Sequence, residues 1–417
     1  MKKVIGILAL LAFTGNFASA ELLKNFKADG KVEVNAYNTN NADFNKKVND
    51  KTGKTDTRVM INAGFDLNDD VSAVVSAVKC DRQYGTAAQT PAGATVDIFT
   101  FEQAYLNLKG VLGLDHKLGR QYYGEAGDMV VYYGPAMWPY TSKITLLNPA
   151  IDGWTSTYKY GNWDFGAIIA KQLQSATVGQ EGKQDINLSG FNAMTTVADV
   201  NLKGYVYQKV DNNTSAGNAD YLDVLGLKAK YAIPMVKNLN VAGEYAMNMG
   251  KMTNGGLKHK GFAYKANADY GMNLMGKLGF DAEYYFATGD NSATDKSDKA
   301  FKSINGDYRP GIMMGGGFVT GINGTSTGNT TLNVGANWTY EKLEKLNIAA
   351  KYYDFSADKK GNLVKTHIGT ETDVVATWTH SDNVNVKGYY AMFQNEKKNK
   401  ATDDAETMMG AAVCVKF

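Results

Sequence analysis

Arg58-Val59-Met60-Ile61-Asn62-Ala63-Gly64-Phe65-Asp66-Leu67 decides the fold, because Val59, Ile61, Ala63, Phe65 and Leu67 alternate with Arg58, Met60, Asn62, Gly64 and Asp66. A period of two is the signature of a strand whose two faces meet different surroundings. The same pattern returns as Leu278, Phe280, Ala282, Tyr284 and Phe286 against Lys277, Asp281 and Glu283. It returns again as Leu332, Val334, Ala336, Trp338 and Tyr340 against Asn333, Asn337 and Thr339, and as Val374, Ala376 and Trp378 against Glu371, Asp373 and Thr377. No helical stripe of any length is present.

Working outward from these stretches gives eighteen alternating segments, at about 30–38, 57–67, 71–80, 97–108, 116–122, 153–160, 163–171, 192–199, 202–209, 220–232, 238–249, 261–270, 276–287, 331–341, 346–355, 367–380, 384–394 and 407–417. Most have the roughly 9–11 residues that a tilted strand needs to cross a bilayer. Connections after odd segments are long and those after even segments are short, as in Tyr160-Gly161-Asn162 and Ser381-Asp382-Asn383. The expected fold is therefore all-β, a transmembrane antiparallel barrel of about eighteen strands with sixteen as the alternative, with short periplasmic turns and long outer loops. All six prolines fall outside the segments, where a missing ladder donor does no harm.

Composition excludes the competing classes. The 417 residues include 25 Tyr, 17 Phe and 5 Trp, too much apolar surface for a disordered chain. Beyond residue 20 no window approaches the ~20 apolar residues of a membrane helix, and a net charge of +2 lacks the basic footprint of a nucleic-acid binder. Residues 1–20 read as a secretory signal: Lys2 and Lys3, an apolar core from Val4 to Phe13, then Ala18-Ser19-Ala20. That leaves 21–417 as a single barrel domain in a Gram-negative-type envelope. Cys80 and Cys414 fall at opposite ends of the proposed barrel, so two free thiols are expected.

If the apolar parity faces lipid, the other parity lines a lumen. Its bases are Arg58, Lys228, Lys230, Lys265, Lys277, Lys351 and Lys387, and its acids Asp66, Glu244, Asp269, Asp281, Glu283, Glu371 and Asp373. This near-neutral wall, filled in by Asn, Thr and Tyr, suits water and small polar or hydroxylated solutes. The charges either satisfy one another across strands or, with Lys228 and Lys230 far round the wall from Glu371 and Asp373, set a transverse field. Outward aromatics at the short-turn end, Tyr160, Trp163, Tyr231, Tyr270, Trp338, Tyr340, Trp378 and Phe417, read as an interfacial girdle against outer-membrane lipid. The alternating ending Val413-Cys414-Val415-Lys416-Phe417 looks like the strand that the barrel-assembly machinery recognises.

Two long loops matter to a pore. Residues 123–152 carry Met129, Tyr132, Tyr133, Met137, Trp138 and Tyr140, an apolar run that either folds inward as a constriction or packs against neighbouring loops or another copy in a homo-oligomer. Residues 288–330, with several Lys and Asp and Gly315-Gly316-Gly317, are expected to form a solvated flap.

The stretch Phe101-Glu102-Gln103-Ala104-Tyr105-Leu106-Asn107-Leu108 followed by Lys117-Leu118-Gly119-Arg120-Gln121 resembles a strand pair of outer-membrane porins of the alginate-export-like group. The resemblance covers about twenty residues, with an echo at Gly369–Asp373, and implies an eighteen-stranded barrel with Arg120 lining the constriction; the alternative for Arg120 is an arginine reaching toward lipid headgroups. The exporters of that group have arginine-rich conduits, whereas this chain has four Arg against forty Lys. Passive diffusion of small polar solutes is the leading expectation, with a polysaccharide or oligosaccharide exporter or a surface-adhesion barrel as alternatives. The four histidines are dispersed and no nucleophile elbow or phosphate loop occurs, so neither an enzyme, a metal site nor a cofactor is expected.

Overall fold

A computed structural model describes residues 24–83, 100–135, 150–174, 185–212, 219–253, 256–292, 294–319, 326–399 and 404–417. The alternating segments become eighteen long strands: β1 (Lys24–Asn40), β2 (Thr52–Asp66), β3 (Val71–Gln83), β4 (Thr100–Val111), β5 (Leu114–Gln121), β6 (Ile151–Tyr160), β7 (Trp163–Leu173), β8 (Ile186–Val197), β9 (Val200–Asp211), β10 (Asp220–Ala232), β11 (Leu239–Met252), β12 (Phe262–Asn273), β13 (Gly276–Ala287), β14 (Asn329–Tyr340), β15 (Leu346–Ser356), β16 (His367–Ser381), β17 (Val384–Asn395) and β18 (Glu406–Lys416). Each pairs antiparallel with its neighbours in sequence, and β1 closes the wall on β18 from Lys31 opposite Lys416 to Asn40 opposite Thr407. Closure leaves no edge strand in the wall among the described residues, as a lipid environment demands. The seam is completed by Phe417, whose N–H donates to Gly30 O at 3.0 Å while Gly30 N–H donates to Phe417 O at 2.9 Å.

The wall has the polarity of a transmembrane barrel. Val34, Leu106, Trp154, Ile169, Phe191, Leu225, Phe280, Leu332, Val374 and Val413 are exposed on the outside, whereas Asn35, Ser76, Glu244, Asn248, Asn333, Glu371 and Asp373 are buried within. An apolar exterior around a polar interior inverts the soluble arrangement. The aromatics chosen from sequence stand beside the short turns: Tyr160, Trp163, Tyr270, Trp378 and Phe417 are exposed, and Tyr231, Trp338 and Tyr340 half-buried. Stacking links Tyr160 to Tyr158 and Trp163 to Phe165, and Trp338 lies 5.2 Å from Tyr340 between ring centroids.

Several details differ from the pattern reading, among them the start of β1 at Lys24 rather than near 30 and of β2 at Thr52 rather than near 57. Strand β8 starts at Ile186 rather than near 192, because Asn187, Ser189 and Gly190 dilute the alternation while still pairing with β9. A register shift between β3 and β4 at Ser76/Ala77 gives β4 an extra residue, Glu102, whose side chain is buried against Arg58 of β2.

Candidate functional site: a lumen crossed by two joined loops

The strand register fixes which side chains share a level of the inner wall. Across one level run Lys203, Lys228, Glu244, Lys265, Tyr285 and Thr331 on β9 to β14, each opposite the next. One level nearer the short turns, Lys230, Ala242, Asn267, Glu283, Asn333, Tyr353 and Glu371 are opposed in the same way, and beyond them come Asp269 and Asp281, with Gly335, Lys351 and Asp373 continuing the row. Lys277 stands opposite Thr339, and Lys387 opposite Thr377. Arg58 is buried on β2 within 3.6 Å of Glu102 and 3.9 Å of Glu33.

Arg120 is different. It sits opposite Asp152 in the same row parity as Leu118 and the exposed Trp154, and its Nη1 donates to Asp152 Oδ2 at 2.8 Å. That parity faces outward, because Gln121 and Ile151, one residue along, are the buried inward pair. The constriction role implied by the alginate-export-like resemblance is thus corrected: Arg120 stands on the outer face, at the long-loop end of β5.

The loop after β5 enters the barrel. Tyr123–Gly124 pairs with Tyr132–Tyr133 to form a small hairpin, and Asp128 Oδ1 accepts the N–H groups of Val130 at 2.7 Å and Val131 at 3.1 Å, setting the turn. Met129, Val130, Val131 and Tyr133 are buried against inward residues of β6 to β11, including Ile151, Ile168, Leu188, Tyr205, Tyr207, Leu222 and Val224. Asp128 also bridges to Lys228, which lies 3.3 Å from Glu244. Tyr132 is half-buried, its hydroxyl donating to Pro135 O at 2.9 Å; Met137, Trp138 and Tyr140 lie outside the described residues.

The loop after β13 is not the solvated flap its charges suggest. Ile304, Ile312, Met313 and Phe318 are buried, and the segment joins the first loop edge to edge: Tyr132 N–H donates to Asn305 O at 2.8 Å, Asn305 N–H to Val130 O at 3.0 Å, and Asp307 N–H to Asp128 O at 2.8 Å. The Tyr308 ring lies 4.1 Å from that of Tyr285 between centroids, tilted by 33°, and its hydroxyl donates to Glu283 Oε1 at 2.9 Å. Burial, then the adjacent Glu283 charge, holds the Tyr308 phenol well above its ordinary range, so it remains a donor. Further on, the N–H groups of Ile312, Met313 and Met314 donate to Asp373 Oδ2 at 3.0 Å, Glu371 Oε1 at 2.6 Å and Glu371 Oε2 at 2.9 Å. Gly311, at φ +82°, allows this approach, since a Cβ there would fall 2.6 Å from Glu371 Oε2.

The two loops therefore form one strap across the lumen, from Lys228 on β10 to Glu371 and Asp373 on β16. The expected transverse field is modified accordingly: Lys228 is matched by Asp128 and Glu244, and both β16 carboxylates are covered by loop backbone. Open space remains beside the strap. A cavity of about 480 Å³ is lined by Gly127, Asp307, Arg309, Lys265, Glu283 and Lys351, among others, and a second of about 420 Å³ by Glu125, Lys203, Lys228, Lys230, Glu244 and again Lys265. Charges around the first are largely paired: Arg309 Nε lies 2.8 Å from Asp307 Oδ1, and Lys351 Nζ 2.5 Å from Asp281 Oδ2. The sequence reading missed Asp128, Asp307 and Tyr308, although an Asp two residues before Val130 and the Tyr308-Arg309-Pro310-Gly311 run are turn signals.

No family model and no curated protein matches this chain. Solved structures do. Pseudomonas aeruginosa OccK11 (OpdR) matches at 11% identity and a TM-score of 0.60, covering 95% of this chain and 97% of that one. Pseudomonas aeruginosa OpdO matches at 10% and 0.60, over 95% and 98%, and Pseudomonas aeruginosa OpdQ at 12% and 0.59, over 95% and 99%. The likeness is one of fold. It extends over nearly the whole of each barrel, and it carries no support for the alginate-export-like resemblance.

Proposed function

We propose that this chain is an outer-membrane channel through which small polar solutes diffuse passively, past a constriction made by the strap of the two inward loops. The observation that carries the reading is that strap: a polar lumen is narrowed from within yet keeps charged, water-sized space beside the narrowing. The matched solved structures share a barrel of this kind, which supports the same compartment. Solutes pass a mixed set of groups, Lys265, Arg309 and Lys351 with Glu283, Asp307 and Asp281, so the pore favours polar and dipolar molecules over either sign of ion. A polyanion exporter is disfavoured, because Arg58 and Arg309 are engaged by acids and Arg120 faces outward. The girdle aromatics and Phe417 fit contact with lipid and the assembly machinery respectively. Reconstitution in planar bilayers under a salt gradient tests the reading. Conductance with less than about tenfold cation or anion preference is expected; a silent barrel would favour adhesion, and strong anion preference an exporter.

A further inference from the structure

The short turns carry side chains that a water-facing turn has no reason to carry. Leu112, between β4 and β5, and Met235, between β10 and β11, are each 93% exposed, and Met275, between β12 and β13, is 65% exposed with Leu274 beside it exposed as well. Two of these residues are also strained. Leu112 has φ +55° and Met275 φ +48°, a left-handed conformation that costs a bulky residue energy and that Gly or Asn would adopt freely. Other short turns of the same barrel are polar at their tips: Gly161-Asn162 and Ser381-Asp382-Asn383.

Two arrangements identify what covers the apolar tips. Leu112 and Met275 sit eight strands apart on an eighteen-strand wall, nearly opposite one another, so one protein partner bound at one side would reach only some of them. The tips are also continuous with the apolar outer wall: the Trp338 indole N–H donates to Leu274 O at 3.3 Å, and Glu341 N–H to Met275 O at 3.2 Å, tying the β12–β13 and β14–β15 turns to the aromatic band. A medium that surrounds the barrel meets both conditions. We propose that the apolar turn tips at Leu112, Met235, Leu274 and Met275 are immersed in the phospholipid leaflet on the short-turn side, so that the barrel is anchored below its aromatic band. The polar turns mark where that end meets water. The inference rests on the barrel fold alone and holds whether or not the pore conducts.

The test uses single cysteines carrying an environment-sensitive fluorophore, on the full chain with Cys80→Ser and Cys414→Ser, in vesicles of brominated phosphatidylcholine. Labels at Leu112→Cys, Met235→Cys and Met275→Cys are expected to be quenched by the brominated lipid at least about twofold more strongly than labels at Asn162→Cys and Asp382→Cys, with the reverse order for aqueous iodide. Equal iodide quenching at all five positions overturns the proposal. A blue-shifted emission at the tips that is seen in native envelopes and lost in pure phospholipid vesicles also overturns it, because it assigns them to a periplasmic protein.

Discussion

Individual residues decide which way each charge points. Arg120 and Lys228 carry the same charge, yet Arg120 stands with Leu118 and Trp154 on the outer rows and Lys228 holds Asp128 inside. Arg120→Ala is therefore expected to leave single-channel conductance and reversal potential unchanged, while Lys228→Ala shifts the reversal potential toward cation preference; equal effects would mean that the parity of β5 is misassigned. Parity of this kind was legible from Arg58-Val59-Met60-Ile61, where the alternation is clean. It was not legible around Glu102, because the register shift at Ser76/Ala77 turns inward a residue that simple alternation leaves ambiguous. Tyr308 gives a second check: its phenol, raised by burial beside Glu283, stays protonated above the ordinary 10.0, so the absorbance difference between the parent and Tyr308→Phe should show no phenolate at pH 10.5.

At the scale of elements, the question is what holds the loops inside. Removing one partner of a buried ion pair costs about 3–5 kcal/mol, but Met129, Val130, Val131 and Tyr133 are all buried, and each contributes about 1.5–3 kcal/mol by leaving water. Apolar docking outweighs the ion pair. Asp128→Asn should then leave the first loop in place with little change in conductance, whereas Met129→Asp with Val131→Asp should expel it, raise conductance and expose the 123–135 segment to protease. The apolar run of that loop shows that it must be buried, since such a run left in water is a liability, but leaves an inward course and packing against neighbouring loops or another copy as alternatives. The course of the loop after β13 was not, because its Lys and Asp residues dominate the composition while Ile304, Ile312, Met313 and Phe318, the residues that dock, are scattered singly. Nor does sequence reveal that Glu371 and Asp373, which alternate like any lumenal pair, are receptors for three backbone N–H groups.

The whole molecule follows from the period of two. Eighteen strands, their order and the alternation of long and short connections were all readable, because lipid outside and water inside impose opposite polarity on adjacent residues. What lies within the barrel depends on loops, whose conformation has no such period. A detergent-stable barrel with heat-modifiable mobility is expected, and a circular dichroism spectrum with substantial helix would contradict the fold. The central claim is that a conducting lumen is narrowed by the strap anchored on Glu371 and Asp373. Its most direct test is the single-channel conductance of the parent chain beside a variant in which residues 304–318 are replaced by a short Gly-Ser linker. The account predicts a parent that conducts and a variant that conducts several-fold more, by analogy with any widened aqueous pore. A silent parent, or identical conductance in the two folded barrels, would contradict it.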